Sequence, residues 1–297
     1  MKIRPKHLNK GDTVGIIALS GPINLESLQR NISLFTDMGL HYKLGKTIEL
    51  NEHAFEETDE AWVHDLHQMI EDPEVKGIFC ATDRYGAAKI ADKIDYPLLT
   101  EHPKIFWGFS DITFLHIAIQ QYSNVVTFHG PSLSKELDEQ SKKMFYQLFS
   151  PFEIYYDETI SPLESLIPGS VRGEFIGGNL RRIVDTLGTK FEIDTRDKIL
   201  LIEDEELSIE EIDRMFNHLR LAGKLKEACG FVIGRLGNGG VEENALSLIK
   251  EYLLPYKKPT VARFNIGHST PNIGIPLGVD VILDADEKLL RFLPGVE

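Results

Sequence analysis

The sequence predicts an α/β protein whose first half is a doubly wound, mostly parallel sheet with helices on both faces. Three observations carry that prediction. Short apolar runs alternate with stretches of helical period as far as residue 128, the pattern of parallel strands joined by crossover helices. Pro151, Pro162 and Pro168, set among acidic residues, then break the rhythm, as at a crossover between domains. The chain has 297 residues, enough for two domains of ordinary size. The expected division is an N-terminal α/β domain over 1–150, a linker over 151–170 and a C-terminal domain over 171–297.

Residues 12–19 (D-T-V-G-I-I-A-L) read as a first buried strand. Asn24 is placed to cap a helix with Leu25, Leu28, Ile32, Phe35 and Met38 at spacings of three and four, and Gly39 to end it. Residues 41–47 form a weaker strand, and Ala61, Leu66, Met69 and Ile70 mark a helix stopped by Pro73, with Trp62 on its surface. Strands at 76–81, 104–108 and 124–128 enclose helices at 86–94 and from Asp111 onward. In the second half, 171–176 is a strand running through Gly177-Gly178-Asn179 into a helix, and 198–202 is a strand ending at Glu203. Ser208 and Glu211 make a capping box for the next helix. A strand at 229–233, a glycine-rich loop over 234–240, a helix ending near Leu254 and strands at 260–264 and 277–283 complete the chain.

Hydrophobic content of 42% and charged content of 26% are those of a globular protein. The net charge of −14 argues against a nucleic-acid or anionic-membrane partner, since both need a basic surface. No apolar run approaches a membrane span, and no apolar stretch follows the basic N-terminal residues as in a signal peptide. Cys80 and Cys229 fall in expected strands and read as small core residues, with neither disulfide nor metal spacing. A cytoplasmic protein is the expectation.

The stretch K-I-F-W-G-F-S-D-I-T-F-L-H over 104–116 is a strand, a turn and a helix. A serine at such a turn is lifted clear of the sheet beside free helix N–H groups, which offers a nucleophile and part of an oxyanion site. Ser110 is equally a residue that caps helices, and Ile112 stands where a G-x-S-x-G elbow has its second glycine. A serine nucleophile needs a base and an orienting carboxylate. His268, in the loop N-I-G-H-S-T-P, and Glu203, at the end of L-L-I-E-D, sit where such groups are presented. Each is also compatible with an ordinary loop histidine or a solvated strand-end charge. Phe106, Trp107 and Phe109 read as core, and Gly177-Gly178-Asn179 as either a tight turn or helix-terminal N–H groups that receive an anion. His64 and His67 share a helix face, but no H-E-x-x-H motif supports a metallohydrolase. Ser20-Gly21-Pro22 after the first strand is neither a dinucleotide nor a P-loop motif, which disfavours a nucleotide-binding module.

G-F-S-D-I-T-F-L-H with F-H-G-P at 128–131 resembles the nucleophile region of the LD-carboxypeptidase family, which includes the microcin C self-immunity peptidases. The likeness continues, in order, through G-G-N-L at 177–180, L-I-E-D at 201–204, I-D-R-M at 212–215, G-H at 267–268 and I-P-L-G at 275–278. The resemblance implies a Ser-Glu-His triad of Ser110, Glu203 and His268, drawn from an α/β N-terminal domain and a smaller β-rich α/β C-terminal domain. It implies an oxyanion site built from the amide of Asp111 and a donor in the loop holding Arg84, Tyr85 and Gly86, while Gly178 and Asn179 are candidate substrate contacts only through the helix that follows them. It also implies a homodimer and a reaction with no metal or organic cofactor. The family's paired glycines are replaced here in Ala81-Thr82-Asp83-Arg84-Tyr85-Gly86, which bears on the second oxyanion donor and offers Arg84 as a partner for a substrate carboxylate. Two substrates follow: a cytoplasmic murein tetrapeptide losing its terminal D-alanine during peptidoglycan recycling, or an aminoacyl-nucleotide antibiotic. The second asks for an aromatic ring against the base, and neither Trp62 nor Trp107 is suitably placed.

Overall fold

The computed structural model describes residues 2–21, 23, 25–48, 58–134, 136–237 and 242–297. The chain is a mixed α/β protein of two compact units. The first comprises Met1–Pro151, Ile273–Pro276 and Gly295–Glu297, and the second Phe152–Asn272 and Leu277–Pro294.

In the first unit, β1 (Thr13–Ile17), β2 (His41–Leu44), β3 (Val75–Cys80), β4 (Ile105–Gly108) and β5 (Thr127–His129) lie in the order β5-β4-β3-β1-β2, every pair parallel. The order reverses between β1 and β3, so the loops leaving these two strands flank a topological switch point, where ligands of open α/β sheets gather. Parallel strands covered on both faces must be apolar throughout, and β4 is buried at all four residues. Phe35, Phe79, Trp107 and Phe145 pack edge-on and stacked at centroid distances of 4.5 to 6.2 Å. Phe106, Trp107 and Phe109 are all core residues. Trp62, expected on the surface, is instead 5% exposed. It stands four before Leu66 on the helix Thr58–Glu71 and so shares its apolar stripe. The helix Leu25–Asp37 is present, but the Asn24 cap lies outside the described residues.

The second unit begins inside the expected linker, because Ile154–Tyr156 and Glu164–Ile167 are strands, β6 and β7. They are edge strands of three and four residues, too short to register against the surrounding prolines. Next come β8 (Ser170–Asn179), β9 (Lys198–Asp204), β10 (Gly230–Leu236) and β11 (Thr260–Ala262), mutually parallel in that order. After β12 (Ile275–Leu277), which joins the first sheet beside β5, β13 (Asp280–Asp284) and β14 (Leu289–Phe292) close the second sheet as β6-β14-β13-β8-β9-β10-β11-β7. The capping box of Ser208 and Glu211 is formed on the helix Ile209–Leu221. Cys80 is buried in β3, whereas Cys229 precedes β10 and is only partly covered. The glycine-rich loop is partly strand, since Gly234 belongs to β10, and residues 238–240 lie outside the described residues. No described helix is long and apolar enough to cross a membrane.

Candidate active site

Ser110 follows the carboxyl end of β4 in the first unit. The strand end is held from below. The Gly108 carbonyl accepts from the Gly130 N–H at 3.0 Å and from His116 Nε2 at 3.1 Å. Full burial lowers the His116 pKa to about 4, so the ring is neutral and Nε2 carries the donated proton. Trp107 Nε1 donates to the Pro131 carbonyl at 3.0 Å, and a side chain at Gly130 would overlap the Trp107 ring. His129 and Gly130-Pro131 thus shape the floor beneath the turn.

The turn itself is strained. Ser110 has φ of 54°, in the left-handed region, which costs a non-glycine residue of order 1–3 kcal/mol. It is not a helix cap: Phe109 is the N-cap of the 3-10 turn Ser110–Ile112 and Ile112 that of the helix Thr113–Tyr122, both without side-chain cap bonds. A left-handed serine between a strand and a helix presents its hydroxyl as a nucleophile elbow does. The adjoining Asp111 is buried, and its carboxylate accepts the Ala87 N–H at 2.7 Å. That bond ties the turn to the loop 81–86 that leaves β3. In this loop Gly86 has φ of 141° and is covered by the Trp62 ring, leaving no room for a Cβ. Asp83 accepts from Ser132 Oγ at 2.9 Å, while Arg84 and Tyr85 are exposed.

Glu203 and His268 are brought together in the second unit. Glu203 is fully buried near the end of β9, and His268 Nδ1 lies 3.9 Å from its Oε2, in ion-pair range and longer than a hydrogen bond. An imidazole that turns Nδ1 towards a carboxylate has Nε2 left for proton transfer. Burial raises the Glu203 pKa well above the usual carboxylate value, the charges of Asp204 and Glu205 raise it further, and the neighbouring Asn179 side chain opposes them. Asn179 is opposite Glu203 in the β8–β9 register, and its Oδ1 accepts the Arg182 N–H at 3.4 Å as N-cap of the helix Leu180–Thr186. One side chain therefore caps a helix and neighbours Glu203 across the β8–β9 pair. Gly177, with φ of 113°, lets β8 approach β9, where a Cβ would collide with the Leu201 carbonyl; Gly178 shares the positive φ, at 136°.

Two supports of the His268 loop escaped the sequence. Glu205 accepts both the N–H of Ser269, at 2.8 Å, and its hydroxyl. Tyr156, on β6, accepts the Asn265 N–H at 2.8 Å. Both depend on pairings across the sheet that no local pattern encodes. Elsewhere, His67 Nε2 accepts the Asp95 N–H at 3.0 Å, a structural use of that ring. Among the described residues no group of three His, Cys, Asp or Glu side chains is arranged to hold a metal.

Comparison with known proteins places these features in a family. Residues 14–130 match the LD-carboxypeptidase N-terminal domain and residues 172–283 the LD-carboxypeptidase C-terminal domain. A probable murein peptide carboxypeptidase of Bacillus subtilis is 42% identical over 100% of this chain and 96% of its own length. The microcin C7 self-immunity protein MccF of Escherichia coli is 24% identical over 94% and 92%. Among solved structures, an MccF-like protein from Bacillus anthracis superposes with a TM-score of 0.89 at 26% identity, covering 98% of this chain and 99% of that one. A muramoyltetrapeptide carboxypeptidase from Oxalobacter formigenes gives 0.81 at 22% identity over 94% and 97%, a likeness of fold. The chain belongs to the LD-carboxypeptidase family.

Proposed function

We propose that this protein is a serine carboxypeptidase that releases the terminal D-alanine of a murein tetrapeptide through an acyl-enzyme. The observation that carries the reading is the left-handed Ser110 at the carboxyl end of β4, strain that a capping serine does not need. In this mechanism His268 Nε2 takes the Ser110 proton as Oγ attacks the carbonyl before D-alanine. The tetrahedral oxyanion is received by the amide of Asp111 and one from Tyr85 or Gly86. His268 then gives the proton to the departing amine, and water, activated by the same ring, cleaves the ester and restores Ser110. Glu203 holds the imidazole tautomer and offsets its transient charge. One oxyanion donor is worth roughly a hundredfold in rate.

The relative at 42% identity is named for murein peptides and the one at 24% for microcin C7 immunity, which favours the peptide substrate. Trp62 and Trp107 are buried, at 5% and 1% exposure, so neither offers a face to a nucleobase. Purified protein incubated with murein tetrapeptide is expected to release free D-alanine, and the Ser110→Ala variant none. Cleavage of an aminoacyl sulfamoyl nucleoside without tetrapeptide cleavage contradicts the proposal.

A further inference from the structure

The loops leaving β1 and β3 meet at the switch point of the first sheet. Ser20 Oγ and Thr82 Oγ1 are hydrogen-bonded at 3.0 Å in the interior. Beyond them Gly21 has φ of 89°, and a Cβ built there would lie 3.4 Å from Arg84 Cβ and 3.6 Å from Arg84 Cδ. The aliphatic stem of Arg84 thus runs alongside Gly21. The loop carrying it is pinned at three places: Thr82 to Ser20, Asp83 to Ser132, and Ala87 to the Asp111 carboxylate beside Ser110.

The charge on Arg84 is uncompensated. Its sequence neighbour Asp83 is engaged by Ser132 and, at 3.4 Å, by Ser134. Arg84 is exposed, and among the described residues no carboxylate lies in ion-pair range of it, as of Arg214, Arg220 and Arg235, whereas Arg172, Arg181, Arg182, Arg196, Arg263 and Arg291 each have one. In a chain of net charge −14, an unpaired guanidinium on a loop tied to the Ser110 turn is free to receive an anion. Its planar fork of N–H donors matches a carboxylate.

We propose that Arg84 binds the free carboxylate at the carboxyl end of the substrate and so makes the enzyme an exopeptidase. This rests on the reading above and adds a specificity-determining residue to it. A peptide whose terminal carboxylate is replaced by a carboxamide keeps the scissile bond and loses the charge that Arg84 recognises.

The test crosses enzyme and substrate variants: wild type, Arg84→Ala and Arg84→Lys, each with murein tetrapeptide and its C-terminal carboxamide. The ratio of kcat/KM for acid over amide is expected to be large in the wild type and to fall about tenfold to a hundredfold in Arg84→Ala, the worth of a charge-assisted hydrogen bond. Arg84→Lys, which keeps the charge and loses the fork, should fall between. A ratio that Arg84→Ala leaves unaltered overturns the inference, as does an equal loss on both substrates, which marks Arg84 as a support of the loop. If the wild type cleaves neither peptide, the proposed activity itself fails.

Discussion

Asn179 performs two tasks that substitution can separate. Its Oδ1 caps the helix Leu180–Thr186, and its side chain opposes the rise in the pKa of the buried Glu203. Asn179→Asp keeps an oxygen for the Arg182 N–H and loses the amide, setting a second negative charge against Glu203. Asn179→Ala loses both functions. The cap is worth about 1 kcal/mol, and the amide's effect on Glu203 is felt only as the carboxyl ionises. The two variants therefore differ in how their stability depends on pH. Burial already holds the Glu203 pKa above its unfolded value, so the folded state keeps a proton that the unfolded state releases. Stability from this group then falls as pH rises from the unfolded value through the folded one. Asn179→Asp should match wild type in acid, where Glu203 is protonated, and fall behind as pH rises. Asn179→Ala should carry a deficit of about 1 kcal/mol even in acid. Urea unfolding over a pH series measures both. With Glu203 as the orienting carboxylate, the acid limb of kcat/KM also moves to higher pH in Asn179→Asp. Superimposable acid limbs for wild type and Asn179→Asp would refute this reasoning.

Other perturbations have equally definite outcomes. The folded-state pKa of His116 is lowered to about 4, so its stabilising contribution is present above the unfolded value near 6.5 and is lost as pH falls through that window. The loss amounts to about 3 kcal/mol, and His116→Gln should flatten the stability profile between those limits. Ser110→Gly should abolish activity while raising stability by about 1 kcal/mol, because glycine adopts the left-handed conformation without strain; thermal denaturation reads the gain. Glu205→Ala should loosen the loop of His268 through Ser269, lowering kcat with little change in KM. Steady-state kinetics distinguish this from a binding defect, which would raise KM.

Local pattern was enough for the elements that hold the candidate site residues. The apolar run ending at Gly108 and the stripe Ile112, Leu115, Ile119 located the turn of Ser110, and the abrupt end of L-L-I-E-D located Glu203. The backbone of that turn was not legible: Ile112 in place of a glycine argued for a cap, whereas Ser110 has a positive φ and makes no cap. Trp62 was misplaced although the signal was present, four residues before Leu66 on one helical face. The strands β6 and β7 were obscured by prolines and acidic residues, because edge strands of three or four residues take their stability from neighbours. Glu205 and Tyr156 had no local signature, since both hold the His268 loop through contacts more than 60 residues apart in sequence.

The most direct test labels the protein with a fluorophosphonate and locates the adduct by peptide mass spectrometry. A single phosphonylated site at Ser110, absent from Ser110→Ala and strongly slowed in His268→Ala, is the predicted result. An adduct on another residue, or D-alanine release that persists in Ser110→Ala, contradicts the account.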